Sequence, residues 1–268
     1  MKAAHFSTGK HEGAWNMAFD RLLMELVREN RWDFVLRTYG WDPACVSIGK
    51  LQSVRREIDS EKLFGDGFGL VRRPTGGRAV WHETELTYSI VARLDHPMVS
   101  GSISEALKKT AAPMVNAMNS LGIEVAVSPL EEHRAGGPRT ASNPCFTSHG
   151  KWEVGTTDGR KLVGSAQARS RGVFLEHGSI LFENDQLKML KYLPKDTPQR
   201  LKEIIRHHLT NGIACIHEFK PNLETADMEN ALHDSFKAIL PVDLEYLFCE
   251  QFEEKRLSEL ECECVNDL

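Results

Sequence analysis

Two adjacent glycines lie between two short strand-like runs, and this arrangement constrains the fold more than any other feature of the chain. Residues 72–78 read Arg-Arg-Pro-Thr-Gly-Gly-Arg, and the apolar runs on either side are residues 70–72 and 79–81. Glycine has no Cβ atom, so the backbone of Gly76 and Gly77 can approach a ligand or a neighbouring strand closely. The segment predicts either a hairpin turn with solvated arginines or a loop whose backbone meets a ligand. Spacing alone does not decide between them.

The rest of the chain alternates between strand-like runs and amphipathic helices. Residues 16–29 carry apolar side chains at helical spacing, and residues 54–64 and 102–121 are also predicted helices. Short apolar runs predict strands at residues 34–38, 44–48, 70–72, 79–81, 86–91, 123–127, 151–154, 161–167 and 173–182. This mixture predicts an α+β fold with mixed β-sheets flanked by helices.

The pattern changes after about residue 185. Residues 186–268 contain apolar residues at helical spacing and carry 10 basic and 16 acidic side chains, whereas the whole chain has a net charge of −5. We therefore expect a catalytic core over residues 1–185, followed by a helical, acidic C-terminal extension over 186–268 that packs on the core.

Composition disfavours several functional classes. Neither part of the chain has the strongly basic balance of a nucleic-acid-binding protein. No apolar run approaches the roughly 20 residues of a membrane-spanning helix, and residues 1–6 lack the apolar stretch of a secretory signal. We expect a cytoplasmic protein with no nucleic-acid or membrane partner.

The cysteines do not follow a metal-binding or disulfide pattern. Cys262 and Cys264 are separated by one residue instead of the usual two to four, and no pair of metal-ligating histidines lies nearby. A disulfide framework is unexpected in a chain of this size without a secretory signal. We expect no metal site.

Cys145 is the strongest candidate nucleophile. It follows a polar, glycine-containing loop over residues 135–143, whereas inert buried cysteines usually lie within apolar runs, as Cys215 does. A lysine that is partly desolvated near such a thiol would lower its pKa. Lys161, at the start of a small-residue strand, is a candidate for this role, although a solvent-facing lysine at a strand end is the commoner case. His177 lies within another strand-like run and is compatible with either a pocket or a core position.

Together these segments resemble the lipoate-protein ligase and octanoyltransferase superfamily, whose catalytic domain is like that of the biotin and lipoate ligases. The resemblance covers roughly residues 10–185 and rests on four segments in family order: residues 16–20, 72–80, 159–167 and 177–181. Four ordered motifs are far more specific than one glycine-rich loop.

Two chemistries occur in this superfamily. Lipoate ligases use ATP to form an acyl-adenylate, and octanoyltransferases move octanoyl from acyl carrier protein through an acyl-cysteine. The ligase pattern has a third glycine after Gly-Gly and then His-Asp-x-Gly-Asn, whereas this chain has Arg78 and continues His82-Glu83-Thr84-Glu85-Leu86. These departures, and a cysteine sixteen residues before the motif lysine, resemble the cysteine-using transferases of the LipM type.

The resemblance implies an octanoyl-[acyl carrier protein]:protein N-octanoyltransferase without a cofactor. Its donor would be octanoyl-acyl carrier protein, and its acceptor a lysine of a lipoyl domain, in the glycine cleavage H protein or a dehydrogenase E2 component. Cys145 and Lys161 would be catalytic. The implied substrate-binding residues are Arg72, Arg73, Gly76, Gly77, Arg78, His82, Gly164, Ser165, Ala166, His177 and Gly178.

Two alternatives remain open from the sequence. The first is an ATP-dependent lipoate-protein ligase, in which ATP and Mg²⁺ would be required and Cys145 would be incidental. The second is a non-catalytic protein that binds lipoyl domains or acyl chains.

Overall fold

The computed structural model describes residues 1–127, 154–248 and 253–268 of the chain. Cys145 and the loop of residues 135–143 lie outside the described residues, as do residues 151–153 of one predicted strand. The strands are β1 (Ala3–His11), β2 (Phe34–Trp41), β3 (Cys45–Ile48), β4 (Gly69–Arg72), β5 (Val80–His82), β6 (Glu85–Arg93), β7 (Val125–Val127), β8 (Val154–Thr156), β9 (Val163–Ser170), β10 (Val173–Leu181) and β11 (Leu244–Phe248). The helices are α1 (Gly13–Arg28), α2 (Val54–Glu57), α3 (Ser60–Gly65), α4 (Ile103–Ser120), α5 (Gln199–Asn211), α6 (Ile216–Phe219), α7 (Thr225–Ile239) and α8 (Glu254–Asn266), with a 3-10 helix over Asp185–Tyr192.

A six-stranded mixed sheet forms the centre of the fold, in the order β11-β1-β2-β6-β10-β9. Strand β1 is parallel to both β11 and β2, and the remaining pairs are antiparallel. A three-stranded sheet has the order β4-β3-β5, and β7 pairs with β8. The predicted α+β class with mixed sheets and flanking helices is confirmed.

Side-chain alternation along the strands gives the large sheet two apolar faces. Phe34 and Leu36 of β2 pack in the same core as residues of α4 and α7, whereas Val35 packs in the core that contains α1. Helix α1 buries Phe19, Leu22 and the apolar side chains of the following turn. Burial at this spacing is expected when one stripe of a helix faces a sheet. The sheet is therefore covered by helices on both sides.

The segment predicted as one helix over residues 54–64 is instead two short helices, α2 and α3. Ile58 has an extended backbone, with φ of −140° and ψ of 137°, and ends α2. Asp59 then begins α3, since its side chain accepts a hydrogen bond from the Lys62 backbone N–H at 3.2 Å. A capping residue inside the apolar pattern explains the difference.

Residues 186–268 contribute to the same sheet and its two faces. Strand β11 pairs with β1 at the sheet edge, α7 lies beside α4, and α8 packs on α1. The division at residue 185 stays a prediction. Among the described residues, no helix combines the length and apolar character needed to cross a bilayer.

We expect Phe236→Ala to destabilise the fold by about 3–5 kcal/mol, because it removes a buried ring from the core between α7 and the sheet. Phe236 is completely buried, with its ring centroid 6.0 Å from that of Phe34. Phe248→Ala is the matched control, since that ring is 71% exposed and its loss should cost less than about 0.5 kcal/mol. Urea unfolding measures both, and equal losses would contradict this packing.

Candidate active site

A pocket lies between the large sheet and the three-stranded sheet. Its lining includes residues of α1, β2, β3, β5, β6, β9 and β10, namely Met17, Tyr39, Trp41, Ser47, Arg73, Val80, His82, Thr87, Gly164, Ser165, Ala166, His177, Gly178 and Ser179. Seven of the residues predicted from the sequence line it: Arg73, His82, Gly164, Ser165, Ala166, His177 and Gly178. The structure thus brings residues of all four sequence motifs to one place, with Met17 representing the segment of residues 16–20.

His177 is held between a carboxylate and a hydroxyl. Its Nδ1 lies 3.2 Å from Asp20 Oδ2, and its Nε2 lies 2.6 Å from Thr75 Oγ1. Burial lowers the pKa of His177, although the hydrogen bond to Asp20 opposes this shift. A neutral ring in this position donates from Nδ1 to Asp20 and accepts from Thr75 at Nε2. The histidine is therefore fixed in one tautomer.

Asp20 forms a buried ion pair with Arg37. Their side chains are completely buried and lie 2.8 Å apart. Burial alone would raise the pKa of Asp20, but the charge of Arg37 and the contacts with His177 and Ser89 hold it below its ordinary value. Arg37 also donates to the Asn16 backbone carbonyl at 2.9 Å and to Thr8 Oγ1 at 3.1 Å. The ion pair therefore joins α1 to β2, and both elements contribute residues to the pocket lining.

A second histidine has a similar arrangement. His82 Nδ1 lies 2.8 Å from Glu85 Oε1, and its Nε2 lies 2.7 Å from Ser47 Oγ. The ring also stacks on Trp41, with centroids 4.1 Å apart. Glu85 accepts a further hydrogen bond from Ser179 at 2.8 Å. Each of the two pocket histidines is thus oriented by a buried carboxylate.

The arginines at the start of the glycine-rich segment hold the backbone around them. Arg73 is buried, and its guanidinium donates to the carbonyls of Ser47, Gly76 and Arg78 at distances of 2.7–3.2 Å. Arg72 donates to the carbonyls of Gly49, Lys50, Gln52 and Asp267. Arg73 lines the pocket, whereas Arg72, Arg78, Gly76 and Gly77 do not contribute to its lining. Direct substrate contact by these residues stays a prediction.

The backbone of the glycine-rich segment leaves no room for a side chain at Gly49. A Cβ atom at Gly49 would lie 2.1 Å from the carbonyl oxygen of Gly77, whose own φ is +95°. The backbone N–H of Lys50 also donates to the carbonyl of Thr75 at 2.8 Å. Residues 49–50 and 75–77 are therefore in direct backbone contact, which accounts for the glycine at position 49. The positive φ accounts for Gly77, whereas a Cβ atom at Gly76 would meet no atom within 4 Å.

Lys161 is buried just before β9. Its residue is 2% exposed, and its backbone N–H and carbonyl bond to Gly212 and Ala214 at 2.9 Å each. Gly164, Ser165 and Ala166 follow it in the pocket wall. The commoner alternative of a solvent-facing lysine is therefore wrong. Cys145 lies outside the described residues, so its predicted pairing with Lys161 stays a prediction.

Three of the other cysteines in the described part of the chain have thiols with raised pKa values. Burial raises the pKa of Cys215 to about 12 and that of Cys264 to about 11, and it also raises the pKa of Cys45. The expectation that Cys215 is a buried, inert thiol is confirmed. Cys262 is exposed on α8.

Sequence reasoning missed Asp20, Arg37, Ser47 and Glu85. The sequence did contain a signal for Arg37, because this charged residue follows three apolar residues in a strand-like run. In the structure Arg37 is 0% exposed. A charge in such a position predicts a buried partner. The chain separates Arg37 from its partner by 17 residues, so the identity of that partner is not evident from the strand alone.

Residues 12–237 match the family model described as the lipoyl protein ligase A/B catalytic domain. Among curated relatives, the chain is 35% identical to "Octanoyltransferase LipM" of Staphylococcus epidermidis, over 95% of this chain and 92% of that protein. It is 38% identical to the protein of the same name from Kyrpidia tusciae, over 89% and 87% of the two chains. For the Bacillus subtilis protein of that name the identity is 33%, over 89% and 86%.

Solved structures have a similar fold. A bipartite lipoate protein ligase from Thermoplasma acidophilum, described with its E2 lipoyl domain, aligns with a TM-score of 0.76 and 22% identity, covering 98% of this chain and 93% of that one. A lipoate-protein ligase A bound with ATP aligns with a TM-score of 0.73 and 23% identity, covering 98% and 95%. At these identities the likeness concerns the fold.

We expect Gly49→Ala to destabilise the protein by about 1–3 kcal/mol, because the added methyl group must displace the Gly77 carbonyl. Gly65→Ala is the matched control, since a Cβ atom there meets no atom within 4 Å and Gly65 ends helix α3. Thermal unfolding of the two variants measures the difference. Equal melting temperatures for them would show that the contact between Gly49 and Gly77 is not tight.

Proposed function

Since the chain belongs to the lipoyl protein ligase A/B catalytic domain family, we propose that it is an octanoyltransferase of the LipM type. One observation carries this conclusion: relatives named as this transferase match the chain at 33–38% identity along 86–92% of their own length. The similarity therefore extends well beyond a shared catalytic motif. The chain is an acyltransferase that takes part in protein lipoylation.

Its two partners are an acyl donor and a lipoyl-domain acceptor. The donor that we propose is octanoyl-acyl carrier protein, and the acceptor is a lysine of a lipoyl domain in the glycine cleavage H protein or a dehydrogenase E2 component. The structure of a related fold described with its E2 lipoyl domain supports an acceptor of this class.

In the proposed reaction, the Cys145 thiolate attacks the thioester carbonyl of the donor. The carrier thiol leaves as a thiolate and takes up a proton, so that one thioester replaces another on Cys145. The amine of the acceptor lysine then attacks the acyl-cysteine, loses a proton, and expels the Cys145 thiolate as the amide forms. Because the donor is already a thioester, neither step requires ATP.

The buried cysteines among the described residues are poor candidates for the nucleophile, and this favours Cys145. A thiol attacks as its thiolate, and burial raises the pKa of Cys45, Cys215 and Cys264, which keeps those thiols protonated. Lys161 is buried, and the pocket wall at Gly164–Ala166 begins three residues after it. An ammonium group near the wall would favour a thiolate or an oxyanion formed there.

Intact mass after brief mixing with octanoyl-acyl carrier protein, without ATP, tests this mechanism. We expect an octanoyl adduct on the wild-type chain and none on Cys145→Ala. Lys161→Ala should form the adduct more slowly by about 10²-fold or more. Cys262→Ala is the matched control, since that thiol is exposed on α8, and it should acylate like the wild type.

Other outcomes of that experiment would contradict the proposal in different ways. Product that forms only with ATP and free acid would support the ligase. Binding of a lipoyl domain without product from any donor would support a non-catalytic protein. An adduct on Cys145→Ala would move the nucleophile to another residue.

A basic surface near the pocket fits the donor. Lys50, Arg55 and Arg56 are exposed, and Leu51 between them is 94% exposed. Lys50 joins this surface to the pocket, because its N–H bonds to the carbonyl of Thr75, whose hydroxyl contacts His177. The acidic carrier protein that we propose as donor would complement this charge. Arg72 and Arg73, in contrast, direct their guanidinium groups at backbone carbonyls.

We expect Arg55→Glu with Arg56→Glu to raise KM for octanoyl-acyl carrier protein by about tenfold at low salt, with kcat unchanged. The effect should shrink as ionic strength increases, because salt screens exposed charges. The control reverses two exposed lysines elsewhere, Lys220→Glu with Lys255→Glu. Steady-state kinetics measure both pairs, and the same KM change in the control pair would show that net charge alone is responsible.

A further inference from the structure

Two histidines meet on the face of the large sheet that α4 and α7 cover. His5 of β1 lies beside Leu36 of β2 in the sheet register, and Leu36 packs in the core that contains residues of α4 and α7. His5 is 0% exposed, and its Nδ1 lies 3.1 Å from Nδ1 of the half-buried His233 of α7. The two rings are stacked, with centroids 5.3 Å apart. The proposed reaction uses neither histidine.

Further contacts of the two rings link four elements of the fold. His5 Nε2 lies 2.9 Å from Thr38 Oγ1 on β2. Tyr246 of β11 packs edge-on against both rings, with its centroid 4.7 Å from that of His5 and 5.2 Å from that of His233. Its hydroxyl donates to Glu229, one turn before His233 on α7. The cluster therefore joins β1 and β2 to α7 and to β11, the strand at the edge of the sheet.

A contact between two ring nitrogens restricts the protons that the pair can carry. One Nδ1 must donate a hydrogen bond, and the other must accept it with its lone pair. A neutral pair meets this condition, and so does a pair with one charged ring. When both rings are protonated, two N–H groups of like charge face each other at 3.1 Å and neither can accept. The contact therefore requires at least one neutral histidine.

Burial keeps both rings largely neutral near pH 7. Burial and, to a smaller extent, the charge of His233 lower the pKa of His5 to about 3. Burial also lowers the pKa of His233 below its ordinary value. The location of the rings between the sheet and α7 thus has the same effect on both of them.

The charged groups around His233 oppose one another. The carboxylates of Glu229, Asp234 and Asp243 raise its pKa, whereas the Lys237 ammonium group lowers it. Lys237 also forms an ion pair with Asp243, with Nζ and Oδ1 3.1 Å apart. Asp234, Lys237 and Asp243 are exposed, so water screens their charges. Burial is therefore the larger effect on the pKa of His233.

We propose that the contact between His5 and His233 is an acid-sensitive latch, which holds α7 and β11 on the large sheet while at least one ring is neutral and releases them when both rings are protonated. Release hydrates the two imidazolium groups and separates their charges. Because both pKa values are lower in the folded chain than the ordinary histidine value of about 6.5, the open state binds more protons as the pH falls. The stabilisation is complete above about pH 6.5 and is lost below it.

Amide hydrogen exchange of the intact wild-type chain tests the release directly. Exchange at pH 7 and pH 5, corrected for the intrinsic pH dependence of the exchange reaction, gives the protection of each element. We expect α7 and β11 to lose about tenfold more protection than β6, since one additional proton bound in the open state changes the equilibrium about tenfold per pH unit. Strand β6 is the internal reference, because it lies between β2 and β10 within the sheet.

Urea unfolding of His233→Asn separates the pair from the other titrating groups. The asparagine amide is uncharged at every pH and can still form a hydrogen bond with His5. Between pH 7 and pH 5, we expect the unfolding constant of the wild type to increase about tenfold more than that of the variant. His207→Asn is the matched control, since His207 is exposed on α5, and it should follow the wild type.

Either of two results would overturn the inference. The first is an equal loss of protection in α7, β11 and β6 of the wild type, a result that does not depend on whether His233→Asn folds. The second is the same pH dependence of unfolding in the wild type and in His233→Asn. Neither measurement involves octanoyl transfer, so the inference is tested independently of the proposed function.

Discussion

The buried ion pair between Asp20 and Arg37 is the interaction on which the rest of the pocket depends. It joins α1 to the middle of the large sheet, and Asp20 then orients His177 on β10. Removal of one partner would leave a charge buried without compensation, which typically costs about 3–5 kcal/mol. Ser89 also donates to Asp20 at 2.8 Å. Elements α1, β2, β6 and β10 thus share one carboxylate.

The glycine-rich segment connects this hydrogen-bond network to the three-stranded sheet. Thr75 bonds to His177, and Arg73 holds the carbonyls of Ser47, Gly76 and Arg78. Arg73, which lines the pocket, is therefore itself held in place by backbone carbonyls of β3 and of the glycine-rich segment. A pocket lined by side chains that protein contacts already hold in place does not have to reorganise when the substrate binds.

Several features of the fold and the site could be predicted from the sequence. The strands near residues 34–38, 44–48 and 86–91 follow from their apolar runs, and the motifs at Gly164–Ala166 and His177 are both in the pocket. Glu85 could not be predicted in the same way. It begins a mostly apolar strand, and its contacts with His82 of β5 and Ser179 of β10 join three different strands.

The amino-acid sequence by itself determined the α+β class, the order of the motifs and the family, because periodicity and short motifs are local properties of the chain. Only the tertiary structure decided which side chains meet. Asp20 and His177 are 157 residues apart, and Thr75 and His177 are 102 apart. Their contacts depend on the strand order and on the packing of α1 and the small sheet against it. Local periodicity carries no information about that order, so the hydrogen-bond network of the pocket emerges only when the sheets are assembled.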